Sequence, residues 1–173
     1  KGLNELIKII PKIINYNNKV VITIAGFPIR KEIKLYLFLK VLSRHSKFKR
    51  NFCFIENLVG KEKERVFKNT DIYILPSYFE GLPFTILESM SYGIPIITTD
   101  VGSIPEVVEP SKNGLFIKLK SEKDLLAKII FLIDNFDLRV KMGQNNYDKI
   151  KKHFSHKAIF SKVDRIYKSI MIN

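Results

Sequence analysis

Cysteine, tryptophan and long apolar segments are scarce or missing in this sequence. Its 173 residues include one cysteine and no tryptophan. One cysteine cannot form an internal disulfide, which favours a reducing, cytoplasmic location. Cys53 lies in the apolar run Phe52-Cys-Phe-Ile55, so we expect it to be buried in the core. The apolar runs are too short to span a bilayer, and no signal peptide is visible.

Histidine is also sparse, which bears on cofactors. His45, His153 and His156 show no spacing typical of metal ligands, so we expect no metal and no other cofactor. The remaining composition is that of an ordinary globular protein, with 46% apolar and 27% charged residues. A chain of 173 residues can bury one substantial core, so we predict a single domain.

Acidic residues are outnumbered, since 17 of them face 30 lysines and arginines and the net charge is +13. Three interpretations are open: nucleic-acid binding, contact with an anionic membrane surface, and a solvated face enriched in lysine by AT-rich codon usage. The lysines are spread along the chain without interleaved aromatic clusters, which argues against nucleic acid. We therefore predict no nucleic-acid partner and keep the inner face of the cell membrane as a candidate contact.

Apolar periodicity alternates between strand and helix patterns along the whole chain. It predicts helices at about 2–16, 30–43, 61–68 and 84–92, one that begins at Ser121, and two more that end near 169. It predicts strands at 20–25, 52–55, 72–75, 94–98 and 115–117. Short continuous apolar strands between amphipathic helices indicate an α/β fold with a doubly wound, Rossmann-like parallel sheet covered on both faces. Such sheets bind ligands beyond the carboxyl ends of their strands.

One such end carries two carboxylates that bracket a turn. Glu80 follows the predicted strand 72–75, and Glu88 lies eight positions later on the predicted helix. Gly81, Pro83 and Thr85 lie between them, and residues of this kind shape a strand-to-helix turn. Such a turn directs free backbone N–H groups at an anion. The pattern favours a ligand with phosphate in its middle and hydroxyls at both ends, which is the layout of a nucleotide-sugar.

The amino-acid sequence of this region resembles that of retaining glycosyltransferase family 4. The resemblance rests on the E-x7-E frame Ser77-Tyr-Phe-Glu-Gly-Leu-Pro-Phe-Thr-Ile-Leu-Glu-Ser-Met-Ser-Tyr-Gly-Ile-Pro95. Its flanks are also similar, at 71–77, 99–106, 113–116 and 154–159, and at the opening Lys1-Gly2. The resemblance implies one half of a GT-B glycosyltransferase, the C-terminal donor-binding domain without its first strand. It divides residues 1–173 into a Rossmann-like core to about 152 and a terminal helix at about 153–173, and implies that the N-terminal acceptor domain is absent from the chain.

The resemblance also implies roles for individual residues. Glu88 corresponds to the acceptor of ribose hydroxyls, and Glu80 to the residue that engages the transferred sugar. Lys1 corresponds to the lysine that stabilises the departing diphosphate. The other implied donor-binding residues offer backbone groups to the sugar, the diphosphate or the base, and they are Gly81, Leu82, Phe84, Thr85, Asn57 and Leu58.

Each role has a plainer alternative, and two positions depart from the family pattern. Glu88 could be a solvated helix residue, Glu80 a carboxylate that only caps the turn, and Phe84 a core side chain. Glu56 stands where the family typically has glycine, which bears on the base contacts. At 25–28 the sequence Ala-Gly-Phe-Pro replaces the usual Gly-Asp-Gly-Pro.

These implications lead to one functional prediction and two alternatives. We expect transfer of a hexosyl group, with retention, from a nucleoside diphosphate sugar to a hydroxyl of a saccharide or lipid-linked acceptor. UDP-sugars are the favoured donors, and cell-envelope polysaccharide or glycolipid synthesis is the expected setting. The isolated domain should be inactive. The alternatives are a nucleotide-binding module without catalysis and a hexosamine 2-epimerase of similar fold.

Overall fold

The computed structural model describes residues 2–26, 33–44 and 49–171 of the protein. Within these ranges, helices and strands alternate as far as residue 134, and two further helices follow. The strands are β1 (Ile22–Ala25), β2 (Phe52–Ile55), β3 (Tyr73–Leu75), β4 (Ile96–Thr98) and β5 (Gly114–Phe116). The helices are α1 (Leu3–Tyr16), α2 (Ile33–Arg44), α3 (Gly60–Lys68), α4 (Phe84–Ser91), α5 (Ile104–Val107), α6 (Glu122–Asp134), α7 (Phe136–His153) and α8 (His156–Met171). The predicted elements are all present, although residues 30–32 of the second helix lie outside the described residues.

The strands form two parallel sheets. One contains β1 and β2, and the other contains β3, β4 and β5 in that order. In the larger sheet Ile74 is opposite Ile97, which is opposite Leu115. The chain therefore has the predicted parallel α/β architecture, but β1 and β3 are not hydrogen-bonded to each other, so the sheet is not continuous.

Both faces of the larger sheet are covered. On one face, Ile97 and Leu115 belong to a core built with α1 and α6. On the other face, Ile96 packs with α4 and α5 residues such as Met90 and Ile104. Alternate residues of a strand face opposite sides of the sheet. Burial of both faces therefore explains why Ile96 and Ile97, consecutive residues of β4, are both apolar.

Among the residues that the structure describes, those that cover the smaller sheet lie on one face only. Ile24 and Phe52 are buried in the core with α1 and α2 residues. Their neighbours Thr23, Ala25 and Cys53 point the other way and are exposed. The prediction that Cys53 is buried is therefore wrong: in an alternating strand the residue after a buried one faces the opposite side, and here that side faces solvent.

Helix α7 fixes the far end of α4. A β-carbon on Gly143 would lie 2.1 Å from the carbonyl oxygen of Gly93, so the two backbones touch. The buried Asn146 amide also donates to the carbonyls of Ile94, at 2.8 Å, and Asn113, at 2.9 Å. The end of α4 and the start of β4 are thereby held against α7.

Helix α8 is exposed along its whole length and turns several apolar side chains, including Phe160 and Ile166, toward solvent. No helix in the described ranges is both long enough and apolar enough to cross a membrane.

Candidate functional site

The acidic turn lies at the carboxyl end of β3, where a parallel sheet presents a ligand site. Ser77 is buried, and its hydroxyl donates to Glu80 Oε1 at 2.7 Å. Its carbonyl accepts a hydrogen bond from the hydroxyl of Thr99, the residue after β4. The turn is therefore anchored to both neighbouring strands, and the Glu80 carboxylate has a defined orientation.

Helix α4 begins directly after this turn, with Pro83 as its N-cap in an extended conformation. The first N–H groups of a helix have no intrahelical partner, and at α4 these belong to Phe84 and Thr85. Both residues are exposed, Phe84 to 81%. Phe84 is thus not a core residue, and the start of α4 offers two amides to a ligand in solvent. Of the other predicted turn residues, Gly81 is exposed and Leu82 is half-buried.

Glu88 lies one turn further along α4 and is not merely solvated. Its Oε1 forms an ion pair with Nζ of Lys63 on α3 at 2.5 Å. The Glu88 side chain is 38% exposed, so a ligand can still reach it. In sequence, the two carboxylates of the motif therefore bracket the residues that open α4.

Tyr73 on β3 lies beneath the turn and joins it to α4. Burial raises the pKa of Tyr73, while a hydrogen bond with Thr85 acts in the opposite direction. The negative charges of Glu80 and Glu88 also raise this pKa. At neutral pH Tyr73 is a neutral phenol, as a tyrosine with an ordinary pKa also is, and its hydroxyl hydrogen-bonds Thr85.

The loop after β4 supports the turn from the side. Gly102 has φ +57°, and a β-carbon there would lie 2.0 Å from the carbonyl oxygen of Glu80. The adjacent Ser103 amide donates to the carbonyl of Gly81 at 3.1 Å. Only glycine allows this approach of two backbones without a shift.

Helix α1 meets the turn at its first residues. A β-carbon on Gly2 would lie 1.8 Å from the carbonyl oxygen of Pro76, so α1 starts against the end of β3. The Tyr78 hydroxyl donates to the Glu5 carboxylate, which raises the pKa of Tyr78 to about 12 and lowers that of Glu5. Lys1, the predicted diphosphate ligand, lies outside the described residues.

The predicted base loop follows β2. Asn57 is exposed and Leu58 is half-buried, and α3 begins two residues later. The preceding Glu56 pairs with Lys40 of α2 at 2.8 Å. Hydrogen bonds from Lys40, and then from Tyr36, lower the pKa of Glu56. Glu56, which stands in place of the expected glycine, is therefore paired with Lys40 of α2.

Sequence reasoning did not single out Lys63, Tyr73 or Gly102. Gly102 lies within the flank quoted for the resemblance, but its role depends on two chain segments touching. The Lys63–Glu88 pair depends on how α3 packs against α4, which leaves no local signal. Among the described residues, no cluster of three or more His, Cys, Asp or Glu side chains could hold a metal ion.

Comparison with known proteins identifies a family of glycosyltransferases. The family described as glycosyl transferases group 1 matches residues 1–149. The N,N'-diacetylbacillosaminyl-diphospho-undecaprenol alpha-1,3-N-acetylgalactosaminyltransferase of Campylobacter jejuni is 37% identical over 78 residues, which are 45% of this chain and 21% of that protein. The chain spans less than half the length of the curated relatives it matches.

Solved structures agree in fold. The C-terminal domain of a glycosyl transferase group 1 family protein from Francisella tularensis superposes with a TM-score of 0.79 at 22% identity, covering 90% of this chain and 80% of that one. Anabaena HepE in complex with UDP and glucose gives 0.80 at 18% identity, covering 98% of this chain and 45% of that one. The predicted fold, one half of a GT-B glycosyltransferase, is confirmed, and the chain belongs to the glycosyl transferases group 1 family.

Proposed function

We propose that this chain is the donor-binding domain of a retaining family 4 glycosyltransferase that uses a nucleoside diphosphate sugar, with UDP as the favoured nucleotide. One observation carries the proposal. Glu80, in the turn after β3, and Glu88, on α4, bracket in sequence the first two residues of that helix, Phe84 and Thr85, which are exposed. This order of acceptor, donors and acceptor matches a sugar, a diphosphate and a ribose in sequence.

Each group of the donor then has a partner. The helix-start amides hold the diphosphate, with a favourable helix dipole behind them. Glu88 accepts from the ribose hydroxyls, Glu80 accepts from the hydroxyls of the transferred sugar, and the loop at Asn57 and Leu58 reads the base. Lys1 supplies a cation to the departing diphosphate, where negative charge develops as the bond breaks. No metal is required in this scheme.

Glu80 positions the sugar during the reaction that we propose. The bond between the anomeric carbon and the β-phosphate oxygen breaks, and the acceptor oxygen bonds to the same face of that carbon. The acceptor proton passes to the leaving diphosphate, so configuration is retained. The hydrogen bond from Ser77 fixes the Glu80 carboxylate before the sugar arrives, which favours an interaction made mainly in the transition state.

The similar proteins support the donor and the acceptor class. The Anabaena structure contains UDP and glucose, and the name of the Campylobacter jejuni relative describes an undecaprenol-linked acceptor. We propose a saccharide or lipid-linked acceptor in cell-envelope polysaccharide or glycolipid synthesis. The net charge of +13 favours contact with an anionic membrane surface. Flotation with vesicles that contain or lack phosphatidylglycerol tests that contact.

Nucleotide titration tests the proposed function. We expect the chain to bind UDP more tightly than GDP or ADP, with no change on adding EDTA. Glu88→Gln should weaken UDP binding roughly 5- to 10-fold, because it replaces a charged acceptor of the ribose hydrogen bonds with a neutral amide oxygen, at a cost of about 1 kcal/mol or slightly more. Glu80→Gln should leave UDP affinity nearly unchanged, and it serves as the matched control. Binding of UDP that is insensitive to Glu88→Gln would contradict the assignment.

A transfer assay separates binding from catalysis. This chain alone should bind the donor without transferring sugar, because an acceptor is not positioned and water is not excluded. In the full-length enzyme, Glu80→Gln should lower single-turnover transfer far more than it raises the Kd of UDP. A near-normal transfer rate would reduce Glu80 to a turn-capping residue.

A further inference from the structure

Lys63 reaches Glu88 from a different helix. The pair joins α3 to α4 at 2.5 Å, with side chains exposed to only 32% and 38%. By contrast, Lys68 and Glu64 pair within α3 and are exposed to 61% and 49%. Partial burial weakens solvent screening, so the Lys63–Glu88 contact is the stronger of the two.

An aromatic contact one helical turn further on keeps α3 and α4 in register. Phe67 of α3 stacks on Tyr92 with ring centroids 5.3 Å apart and planes inclined by 8°. Lys63 Nζ lies 6.0 Å from the centroid of the Phe67 ring. The second contact lies four residues after the first on both sides. It moves from residue 63 to 67 on α3, and from residue 88 on α4 to 92, just after the last residue of that helix. The Lys63–Glu88 ion pair is therefore one of two neighbouring contacts between these segments, and its side chains are more restricted than those of an isolated surface pair.

The pairing leaves Glu88 able to bind a ligand. A carboxylate offers about four lone-pair sites, and one ammonium hydrogen bond uses one of them. Oε1 takes the lysine, and Oε2 can accept from a diol. A carboxylate whose rotamer is already fixed loses less conformational entropy when the ligand arrives.

We propose that Lys63 is a positioning residue that holds the Glu88 carboxylate in its ribose-binding orientation before the nucleotide binds. This inference rests on the proposed function, in which Glu88 is the ribose ligand. Because α3 also follows directly from the Asn57–Leu58 loop, the same helix connects the base-reading segment to the ribose-reading carboxylate. Removing the lysine should therefore impair recognition of the ribose hydroxyls and leave the diphosphate contacts intact.

Calorimetry with UDP and 2′-deoxy-UDP tests this on five variants of the chain: Lys63→Met, Lys63→Arg, Glu88→Gln, the Lys63→Met/Glu88→Gln double variant, and Lys68→Met. We expect Lys63→Met to weaken UDP binding roughly 3- to 10-fold, as for a partly screened ion pair, and to weaken 2′-deoxy-UDP binding less. The preference for UDP over the deoxy analogue should therefore shrink. Lys63→Arg should retain most of it, and Lys68→Met, the control on the same helix, should match wild type.

The double variant shows whether the lysine acts through the carboxylate. If it does, Lys63→Met adds little to the loss already caused by Glu88→Gln. Additive losses, or equal losses for UDP and 2′-deoxy-UDP, would overturn the inference, because Lys63 would then act on the diphosphate or on the fold. Thermal unfolding without ligand identifies a general loss of structure. Wild-type chain that binds no nucleoside diphosphate would refute the proposed function, whereas wild-type binding with an unchanged UDP preference in Lys63→Met would refute only the inference.

Discussion

The three-stranded sheet and the two-stranded sheet support different parts of the proposed donor site. The acidic turn and α4 rise from β3, whose sheet is packed on both faces. The base loop at Asn57 and Leu58 follows β2, whose sheet leaves Thr23, Ala25 and Cys53 in solvent. The residues proposed to bind sugar, diphosphate and ribose therefore rest on a sheet packed on both faces, and those proposed to bind the base rest on a more sparsely covered one.

Under the proposed function, the difference bears on how the site discriminates between ligands. The diphosphate and ribose of a UDP- or GDP-sugar are assigned to the fixed region. The base, in which these donors differ, is assigned to a loop whose supporting sheet has fewer buried neighbours and so a lower cost of local adjustment.

Core truncation should give the largest contrast between the two sheets. Ile97→Ala removes a fully buried side chain from β4 and should lower the free energy of unfolding by about 2–5 kcal/mol. Cys53→Ala, on the open face of β2, should change it by no more than about 0.5 kcal/mol. Urea unfolding of both variants makes the measurement. A Cys53→Ala cost similar to that of Ile97→Ala would mean that the face is covered in solution.

Thiol labelling gives an independent check of the same contrast. A water-soluble maleimide should modify Cys53 in the folded protein, because the side chain is exposed. Modification that occurs only in denaturant would contradict the open face.

Gly102→Ala should have the next largest effect, since it strikes the support of the acidic turn. The new β-carbon would meet the Glu80 carbonyl oxygen at 2.0 Å, at a residue with φ +57°. Gly60→Ala is the matched control, because Gly60 has the same φ and nothing within 4 Å of the added atom. The positive φ alone costs roughly 1–2 kcal/mol, and Gly102→Ala should exceed Gly60→Ala in urea unfolding. Equal losses of unfolding free energy in the two variants would show that the acidic turn can move away from the added β-carbon at no cost.

Acid should change the free energy of unfolding least. The change concerns the ion pairs of Glu109, which is not a residue of the proposed donor site. Hydrogen bonds from Lys112 and Lys149 lower the pKa of Glu109 to about 2, from an ordinary value of 4.5. A carboxylate with a depressed folded pKa stabilises the protein above its unfolded pKa, and this contribution is lost as pH falls from about 4.5 to about 2. Because the Glu109 side chain is 42% exposed, solvent screening limits the contribution to about 1 kcal/mol or less.

Glu109→Gln should therefore reduce the slope of unfolding free energy against pH within that window and leave it unchanged near neutrality apart from a small constant offset. Urea unfolding between pH 2 and 7 measures the slope, with Glu64→Gln as an exposed-pair control. An unaltered slope in Glu109→Gln would show that the two lysines do not hold this carboxylate.

Much of the fold could be predicted because its signals are local. Apolar runs predicted the strands, and helical periodicity predicted the helix that begins at Ser121. In the structure the Ser121 hydroxyl caps α6 by accepting from the Asp124 amide. The acidic turn was placed correctly at a strand end. The roles of Glu80, Glu88, Phe84 and Thr85 stay predictions, because a role depends on the ligand that a residue contacts as well as on its place in the fold.

The features that were missed all depend on long-range packing. An apolar run around Cys53 cannot show that its side chain lies on an exposed face of the sheet. The sequence spacing of 25 residues between Lys63 and Glu88 carries no periodic signal. Gly102 is ordinary as a turn glycine, and only the structure shows another backbone in the space where its side chain would lie.

The backbone contact between Gly93 and Gly143 has a consequence far from the ligand edge. It lies just beyond the last residue of α4, whereas the proposed diphosphate ligands lie at the first. The C-terminal end of α4 is thus fixed against α7 by a backbone contact. Helix α4 therefore cannot shift along its axis or rotate unless α7 moves with it. A random-mutagenesis screen for loss of nucleotide binding should therefore return substitutions at position 143, remote from the nucleotide, beside those in the acidic turn.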